Sequence, residues 1–293
     1  LIALKLSRRI LIPLNSVIES INLISQGDLT VRVLHCDKSL GEIATLINNF
    51  NFLADQLALM TQEQSFWNAA IAHELRTPVT ILKGRLQGLA DGVFTANEQQ
   101  FRSLLTQVEG LIRLIEDLRM ISLVESGHLE LQIQETDLSN EINILVDLLS
   151  DKFQASEKIL KLDLTSDCVQ CDPIRIRQAL LALLDNALKY SVADKIYIKT
   201  YISGDIYHLS VEDEGPGISP EFASHAFTAF RREKNTKTTG SGLGLAVVAS
   251  IAKAHRGSAS CEQTLQGGTR FEIHWPLKHH NSNKPLISHW SFC

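Results

Sequence analysis

The sequence predicts an α+β chain of several domains, with a helical N-terminal half followed by a mixed sheet covered by helices on one face. Apolar residues step by three and four from Ile10 to Leu118, the period of helices that bury one stripe. Ser126-Gly127 interrupts that pattern, and beyond it runs of alternating apolar residues appear between shorter helical segments. The chain has 293 residues and is 44% hydrophobic, which allows more than one core and excludes a disordered or fibrous protein. A net charge of -5, with no basic run interleaved with aromatics, gives no sign of nucleic-acid binding. Five cysteines, an odd number, form no disulfide framework and fit a reducing compartment. Cys168 and Cys171 make a lone C-x-x-C just before Asp172-Pro173, where a strand is expected, and read as structural.

The first residue is Leu1 rather than Met, so the chain is expected to be a fragment. Residues 1–7 read as the cytoplasmic end of a membrane helix, with Arg8 and Arg9 obeying the positive-inside rule, although no apolar span of about 20 residues is present. Ile10, Leu14, Val17, Ile21 and Ile24 form a heptad seam with Pro13 near its start, ended by Gly27-Asp28. Leu29, Val31 and Val33 alternate as a short extended connector, and a second seam follows through Ile43, Ile47, Phe50, Ala54 and Leu57. Two short heptad helices so joined resemble a HAMP linker, expected over 8–60. An ordinary helical hairpin would carry the same seams.

From about Thr61 the helix is expected to run on through F-W-N-A-A-I-A-H-E-L-R-T-P, Phe66 to Pro78, where proline removes a hydrogen bond and kinks it. Ile71, Leu75, Leu82, Leu86 and Leu89 mark its inner face. His73 lies two residues from both Ile71 and Leu75, roughly 200° round the helix, and so points to solvent. An imidazole near neutrality can act as a nucleophile, and Glu74 beside it can take the second ring proton as a general base. Taken alone it reads more readily as a stray surface histidine. A metalloprotease H-E-x-x-H is excluded, because position 77 is Thr. Asp91 to Asn97 reads as a turn, and Phe101, Leu104, Val108, Leu111, Ile115 and Leu118 line the next helix. Six such side chains at ~1.5–3 kcal/mol each amount to on the order of 10 kcal/mol, more than a lone hairpin can hide. A second copy is therefore expected to complete a dimeric four-helix bundle over 61–126, with His73 outside.

Over 127–277 the expected elements are strands at 129–133, 159–164, 196–202, 206–212, 258–263 and 269–275 and helices at 138–150, 173–190 and 245–255. Residues 278–293, with His279, His280 and His289, read as a disordered tail. Three boxes carry chemistry. In D-N-A-L-K-Y, Asn186 offers the hard oxygen Mg²⁺ accepts, Lys189 an ammonium for phosphate and Tyr190 a face for a base. In D-E-G-P-G-I, Asp213 can accept from the 6-amino group of adenine and would repel the 6-oxo group of guanine, which favours ATP. In G-S-G-L-G-L, glycines lead into a helix N-terminus, where free amides attract phosphate. Gly267-Gly268-Thr269 follows behind them.

His73 to Pro78, the Asn186 box, Asp213 with Gly215 and Gly217, Phe227 and Phe230, and Gly240 to Gly244 resemble the H, N, G1, F and G2 boxes of a HAMP-containing HisKA-type sensor histidine kinase. The likeness spans nearly the whole chain, and the run from His73 to Phe94 is similar to the envelope-stress and drug-efflux sensors. The resemblance implies a helical-hairpin dimerisation domain and an α/β sandwich ATP-binding domain of the GHKL (Bergerat) type. It implies an ATP- and Mg²⁺-dependent autokinase at the bacterial inner membrane, with this part cytoplasmic, acting as a homodimer with a cognate response regulator. By the same likeness His73 takes the γ-phosphate and a regulator aspartate removes it. Gly215, Gly217, Ile218, Phe230, Arg231, Gly240, Ser241, Gly242, Leu243, Gly244 and Thr269 join Asn186, Lys189, Tyr190 and Asp213 in holding ATP. Residues 219–239, with Arg231, Lys234 and Lys237, would form a lid. Thr77 would align a water for removing phosphate from the regulator, or merely cap the region before Pro78. Thr80, Gly84 and Gly88 would form the regulator's docking strip.

One departure stands out: the family places a second Asn four residues before Asn186, and this chain has Ala182. Losing one neutral hydrogen bond costs roughly 0.5–1.5 kcal/mol, so slower chemistry is expected rather than none. An ATPase clamp of the gyrase, Hsp90 and MutL group shares the nucleotide boxes but lacks an upstream His-Glu helix. It also places a catalytic Glu where Ala182 stands. An inactive nucleotide-binding scaffold has only Ala182 in its favour. No P-loop and no H-R-D or D-F-G set is present.

Overall fold

A computed structural model describes residues 2–34, 41–191, 194–215, 217–231, 241–264 and 267–278, with the backbone alone for 2–9. The chain divides into two compact units, 1–80 and 81–293. Gly240, Lys234, Lys237 and the histidines of the tail lie outside the described residues.

In the first unit α1 (Ile2–Ser25) and the greater part of α2 (Gly41–Ala90) are the two heptad helices. Val17, Val33 and Ile47 form their core, with Ile43 and Phe50 packed against it. The connector is tied down by its backbone. The Val33 amide donates to Asn51 Oδ1 at 3.0 Å, and Asn51 Nδ2 donates to the Val33 carbonyl at 2.9 Å. Arg32 adds an ion pair to Asp55 at 2.8 Å. Pro13, expected near a helix start, is instead interior, because the apolar residues before it extend α1 back to Ile2. It lies on the buried stripe with Val17 and Ser20, so of the expected seam Val17 turns inward while Ile10, Leu14 and Ile21 stay exposed. Among the described residues no helix is long and apolar enough to cross a membrane.

α2 passes through Pro78 without a break and ends at Ala90. After the Asp91–Asn97 turn, Asn97 caps α3 (Glu98–Glu125), its side chain accepting from Gln100 N, and Arg85 reaches across to Ser103. α3 carries two apolar stripes rather than the single expected seam. Leu104, Leu114, Met120 and Ile121 are buried, whereas Phe101, Leu105, Val108, Ile112 and Ile115 are exposed at heptad spacing. A helix with 3.6 residues per turn presents two such faces when apolar residues fill more than one stripe.

The rest of the second unit is an α/β sandwich. A five-stranded mixed sheet has the order β2-β4-β5-β7-β6. β2 (Ile159–Asp163) runs parallel to β4 (Lys195–Ser203), and β5 (Ile206–Asp213), β7 (Thr269–Pro276) and β6 (Ser258–Gln263) continue antiparallel. A two-stranded sheet pairs β1 (Gln134–Thr136) with β3 (Val169–Cys171). The strand expected at 129–133 is not formed. Its inward alternation survives, but β3 offers only three residues to pair with, and the Gln132 amide goes to Asp172 Oδ2 at 2.9 Å instead.

α4 (Leu138–Ala155), α5 (Pro173–Tyr190) and α7 (Gly244–Ala254) pack on one another or on the sheet, and α3 packs on α7. A four-residue helix, α6 (Pro220–Ala223), was not foreseen; Ser219 caps it and Pro220 opens it. Inward residues of β5 and β7, Tyr207, Leu209, Ile273 and Trp275 among them, are fully buried against the helices. Asp172 caps α5, accepting from Ile174 N and Arg175 N, and its own amide donates to Nε2 of buried His255 at 3.0 Å. Nδ1 of His255 then donates to the Ile251 carbonyl at 2.8 Å, which fixes a neutral ring joining α7 to the start of α5.

Candidate functional site

The end of β5, the last turns of α5 and the N-terminus of α7 meet around a cavity of about 800 Å³. Asn186, Lys189 and Tyr190 line it from α5, Ala182 one turn earlier, Asp213 and Thr269 from the sheet, Gly217, Ile218, Arg231, Ser241 and Gly242 from the loops, and Gly244 from the start of α7. Three expected residues support the cavity without lining it. Gly215 donates its amide to Asp213 Oδ1 at 2.8 Å. Phe230 holds φ at 61° and donates its amide to the Gly242 carbonyl at 3.0 Å. Leu243 is fully buried.

Asp213 is 4% exposed. Burial pushes its carboxyl up from the ordinary range, and the amides of Gly215 and Thr269 partly counter that by donating to it. The sheet end is tight at Gly268, where a Cβ would lie 1.7 Å from the Asp213 carbonyl oxygen. Gly242 has φ +69° and sits against the Phe230 and Arg231 backbones, a conformation that favours glycine. Leu243 stands at the N-cap of α7 without a capping side chain, its own amide donating to Ser241 Oγ at 3.4 Å, and the first residues of the helix, Gly244 and Leu245, line the cavity, where helix amides favour an anion. Asn186 brings to the cavity an amide oxygen, a hard donor of the kind that could hold Mg²⁺.

Sequence reasoning missed that α3 also lines the cavity, through Arg113, Glu116 and Asp117. Their spacing of three and four puts the three charges on one face of the helix, which is the signal that was there to find. Asp185 draws in two cations, Lys152 of α4 at 2.5 Å and Arg113 at 3.5 Å. Asp117 is pushed up to about 6 by burial, with Arg113 opposing and Glu116 adding to the shift.

The histidine expected to react stands in the first unit. His73 is exposed on α2, Glu74 is half-buried beside it, and Thr77 Oγ1 donates to the His73 carbonyl at 3.3 Å. Of the expected docking strip, Thr80 is exposed and a Cβ on Gly84 would meet open space. Gly88 differs from this expectation: the Phe94 ring lies over it, 2.5 Å from where a Cβ would stand, so this half-buried glycine makes room for the turn.

Three family models match in succession. They are the HAMP domain at residues 5–58, the His Kinase A (phospho-acceptor) domain at 63–127, and the histidine kinase-, DNA gyrase B- and HSP90-like ATPase at 171–279. The signal transduction histidine-protein kinase BaeS of Escherichia coli (strain K12) is 30% identical over 93% of this chain and 59% of its own length. The sensor protein RstB of the same organism is 34% identical over 78% of this chain and 53% of its own length. The chain thus spans somewhat more than half the length of these curated relatives. The solved Acinetobacter baumannii histidine kinase AdeS is 41% identical over 71% of this chain and 98% of that one, with a TM-score of 0.63. With HAMP, phospho-acceptor and ATPase domains in this order, the chain belongs to the sensor histidine kinase family.

Proposed function

We propose that this chain is the cytoplasmic part of a membrane-anchored, homodimeric sensor kinase that phosphorylates itself on His73 from ATP. The phosphoryl group then passes to an aspartate of a cognate response regulator. The carrying observation is the one cavity in which the Asn186, Asp213 and Gly242 boxes converge, in the same chain as the exposed His73 and the half-buried Glu74 beside it on α2. Its volume of about 800 Å³ suits a nucleotide. In this reading Asp213 accepts from the adenine 6-amino group, Tyr190 and Ile218 flank the base, and Lys189, Arg231 and the amides at the start of α7 hold the phosphates. Mg²⁺, when bound, offsets phosphate charge, with Asn186 as its protein ligand.

Phosphoryl transfer to nitrogen needs alignment and charge neutralisation more than covalent assistance. An imidazole nitrogen of His73 attacks the γ-phosphorus while Glu74 takes the proton from the other ring nitrogen, and ADP leaves. Acceptor and nucleotide belong to separate compact units, 1–80 and 81–293, so regulation acts on how often they meet. Thr77 positions water for the reverse task on the regulator. Thr80 and Gly84 form the open part of the docking strip. The exposed heptad stripe of Phe101, Leu105, Val108, Ile112 and Ile115 supports pairing with a second copy, as do Ile10, Leu14 and Ile21. Anchoring at the bacterial inner membrane is supported by the HAMP match and the sensor relatives. Control of drug efflux is the output suggested by the resemblance of the H-box run.

Incubation with γ-labelled ATP tests the reading. Acid-labile, base-stable label on the protein, chased onto a regulator, is the expected result. Release of free phosphate with none on the protein would instead mean an ATPase clamp.

A further inference from the structure

Strand alternation gives the sheet a second face, turned away from the nucleotide. Thr269 and Phe271 of β7 line the cavity, while Glu272 and His274 point the opposite way. His274 stands directly opposite His208 of β5 in the antiparallel register. One ligand atom from each of His208, Glu272 and His274 lies within 4.8 Å of the other two. From this geometry we infer a divalent transition-metal site of the Zn²⁺/Cu²⁺ class on the outer face of the ATP-binding sheet. Nothing in the nucleotide reading requires it.

The donor set selects the metal. Two imidazoles and one carboxylate suit Zn²⁺ and Cu²⁺ better than Mg²⁺ or Ca²⁺, which take oxygen ligands. Donors at the ~2.0–2.1 Å bond lengths of a tetrahedral site stand about 3.3 Å apart. His208 Nδ1 and Glu272 Oε1 are already 2.9 Å apart, so small side-chain rotations bring all three donors to one ion.

The surroundings hold the three ligands in place, as outer partners do at metal centres. Tyr201 of β4 stacks on the His208 ring at 4.4 Å between centroids and 5° between planes, and its hydroxyl donates to Glu272 Oε2 at 2.9 Å. Ser258 of β6 meets His274 Nε2 at 3.0 Å, and a ring whose Nε2 donates to that serine carries its lone pair on Nδ1. His208 and Glu272 are both 15% exposed, shielded yet reachable. The nearby cation does not take the carboxylate: Arg270 bonds Glu212 and Glu262, leaving Glu272 to His208 and Tyr201.

The test uses the whole chain with His279, His280 and His289 replaced by Asn, so that the tail does not compete. Equilibrium dialysis with Zn²⁺ should give one ion per chain, and the melting temperature should climb with Zn²⁺ concentration. His208→Gln and His274→Gln should each weaken Zn²⁺ binding by about 10- to 100-fold or more, with ATP affinity unchanged. Unchanged ATP affinity also shows that the variants fold. Independently of any substitution in the cluster, Cu²⁺ bound to the tail-replaced chain should show coupling to two imidazole nitrogens by electron paramagnetic resonance. Zn²⁺ that leaves the melting temperature unmoved, binding indifferent to both glutamine variants, or Cu²⁺ without two nitrogen ligands would overturn the site.

Discussion

Replacing Asp213 by asparagine exchanges one carboxylate oxygen for an amide nitrogen at the bottom of the nucleotide cavity. Asparagine Oδ1 can still accept from the Gly215 amide, now at 2.8 Å from the carboxylate, so the local backbone is kept. The new NH₂ then faces the adenine 6-amino group, donor against donor. Losing a buried charge-assisted hydrogen bond costs about 1.5–3 kcal/mol, which is roughly 10- to 150-fold in ATP affinity. Stability should move the other way, because burial already disfavours the charged form of Asp213 and a neutral amide suits the site. The free protein should therefore melt no lower than wild type. Calorimetric titration with ATP and with inosine triphosphate, whose base carries a 6-oxo acceptor, separates the effects. ATP should weaken at least tenfold while the inosine nucleotide loses little or gains. Equal weakening of both nucleotides, ATP affinity within threefold of wild type, or a loss matched by unfolding would refute the assignment of Asp213 to the adenine edge.

Other substitutions probe separate parts. In the described residues the Thr77 hydroxyl bonds only the His73 carbonyl on an exposed helix face, so Thr77→Ala should change stability by less than about 0.5 kcal/mol. Its autophosphorylation should persist while regulator dephosphorylation falls by about tenfold or more, and equal loss of both activities would end the water-positioning role. Asp117 binds its proton more tightly folded than unfolded, so its contribution is full below pH 4 and is lost as pH rises through about 6. Asp117→Asn should flatten that part of the stability–pH curve, and raise stability at pH 7 by on the order of 1–2 kcal/mol after allowing for solvent screening. Urea titrations at pH 4, 5, 6 and 7 check it. Gly268→Ala would drive a methyl group into the Asp213 carbonyl and should cost about 3 kcal/mol or more, together with ATP binding. A urea midpoint equal to wild type would show that the close approach is relieved cheaply.

Where a segment carried its own punctuation, the sequence was enough to place it. Asp172-Pro173 opens α5 and Ser191 follows its end, and Ser203-Gly204-Asp205 turns β4 into β5, so both were placed to within a residue or two. Apolar period told less about partners. Residues 129–133 alternate as a strand does, yet no neighbour of sufficient length lies alongside, and the amide that a ladder would satisfy goes to Asp172. In α3 one period covers two faces, and only packing against α7 separates the buried Leu114 and Ile121 from the exposed Ile112 and Ile115. The nucleotide residues were legible because their chemistry is local to three boxes. Arg113 and Asp117 were not, since they reach the cavity through the docking of a distant helix. Gly88 misled for a similar reason, as a glycine on a helix face reads as open surface until the Phe94 ring covers it.

Incorporation of γ-labelled phosphate by wild type and His73→Gln, with ATP binding measured on both, tests the phosphoacceptor most directly. His73 is exposed on α2, in a different compact unit from the nucleotide cavity, so the variant should bind ATP as wild type does and take up no label. Label retained on the glutamine variant would move the phosphoacceptor elsewhere and contradict the assignment of His73.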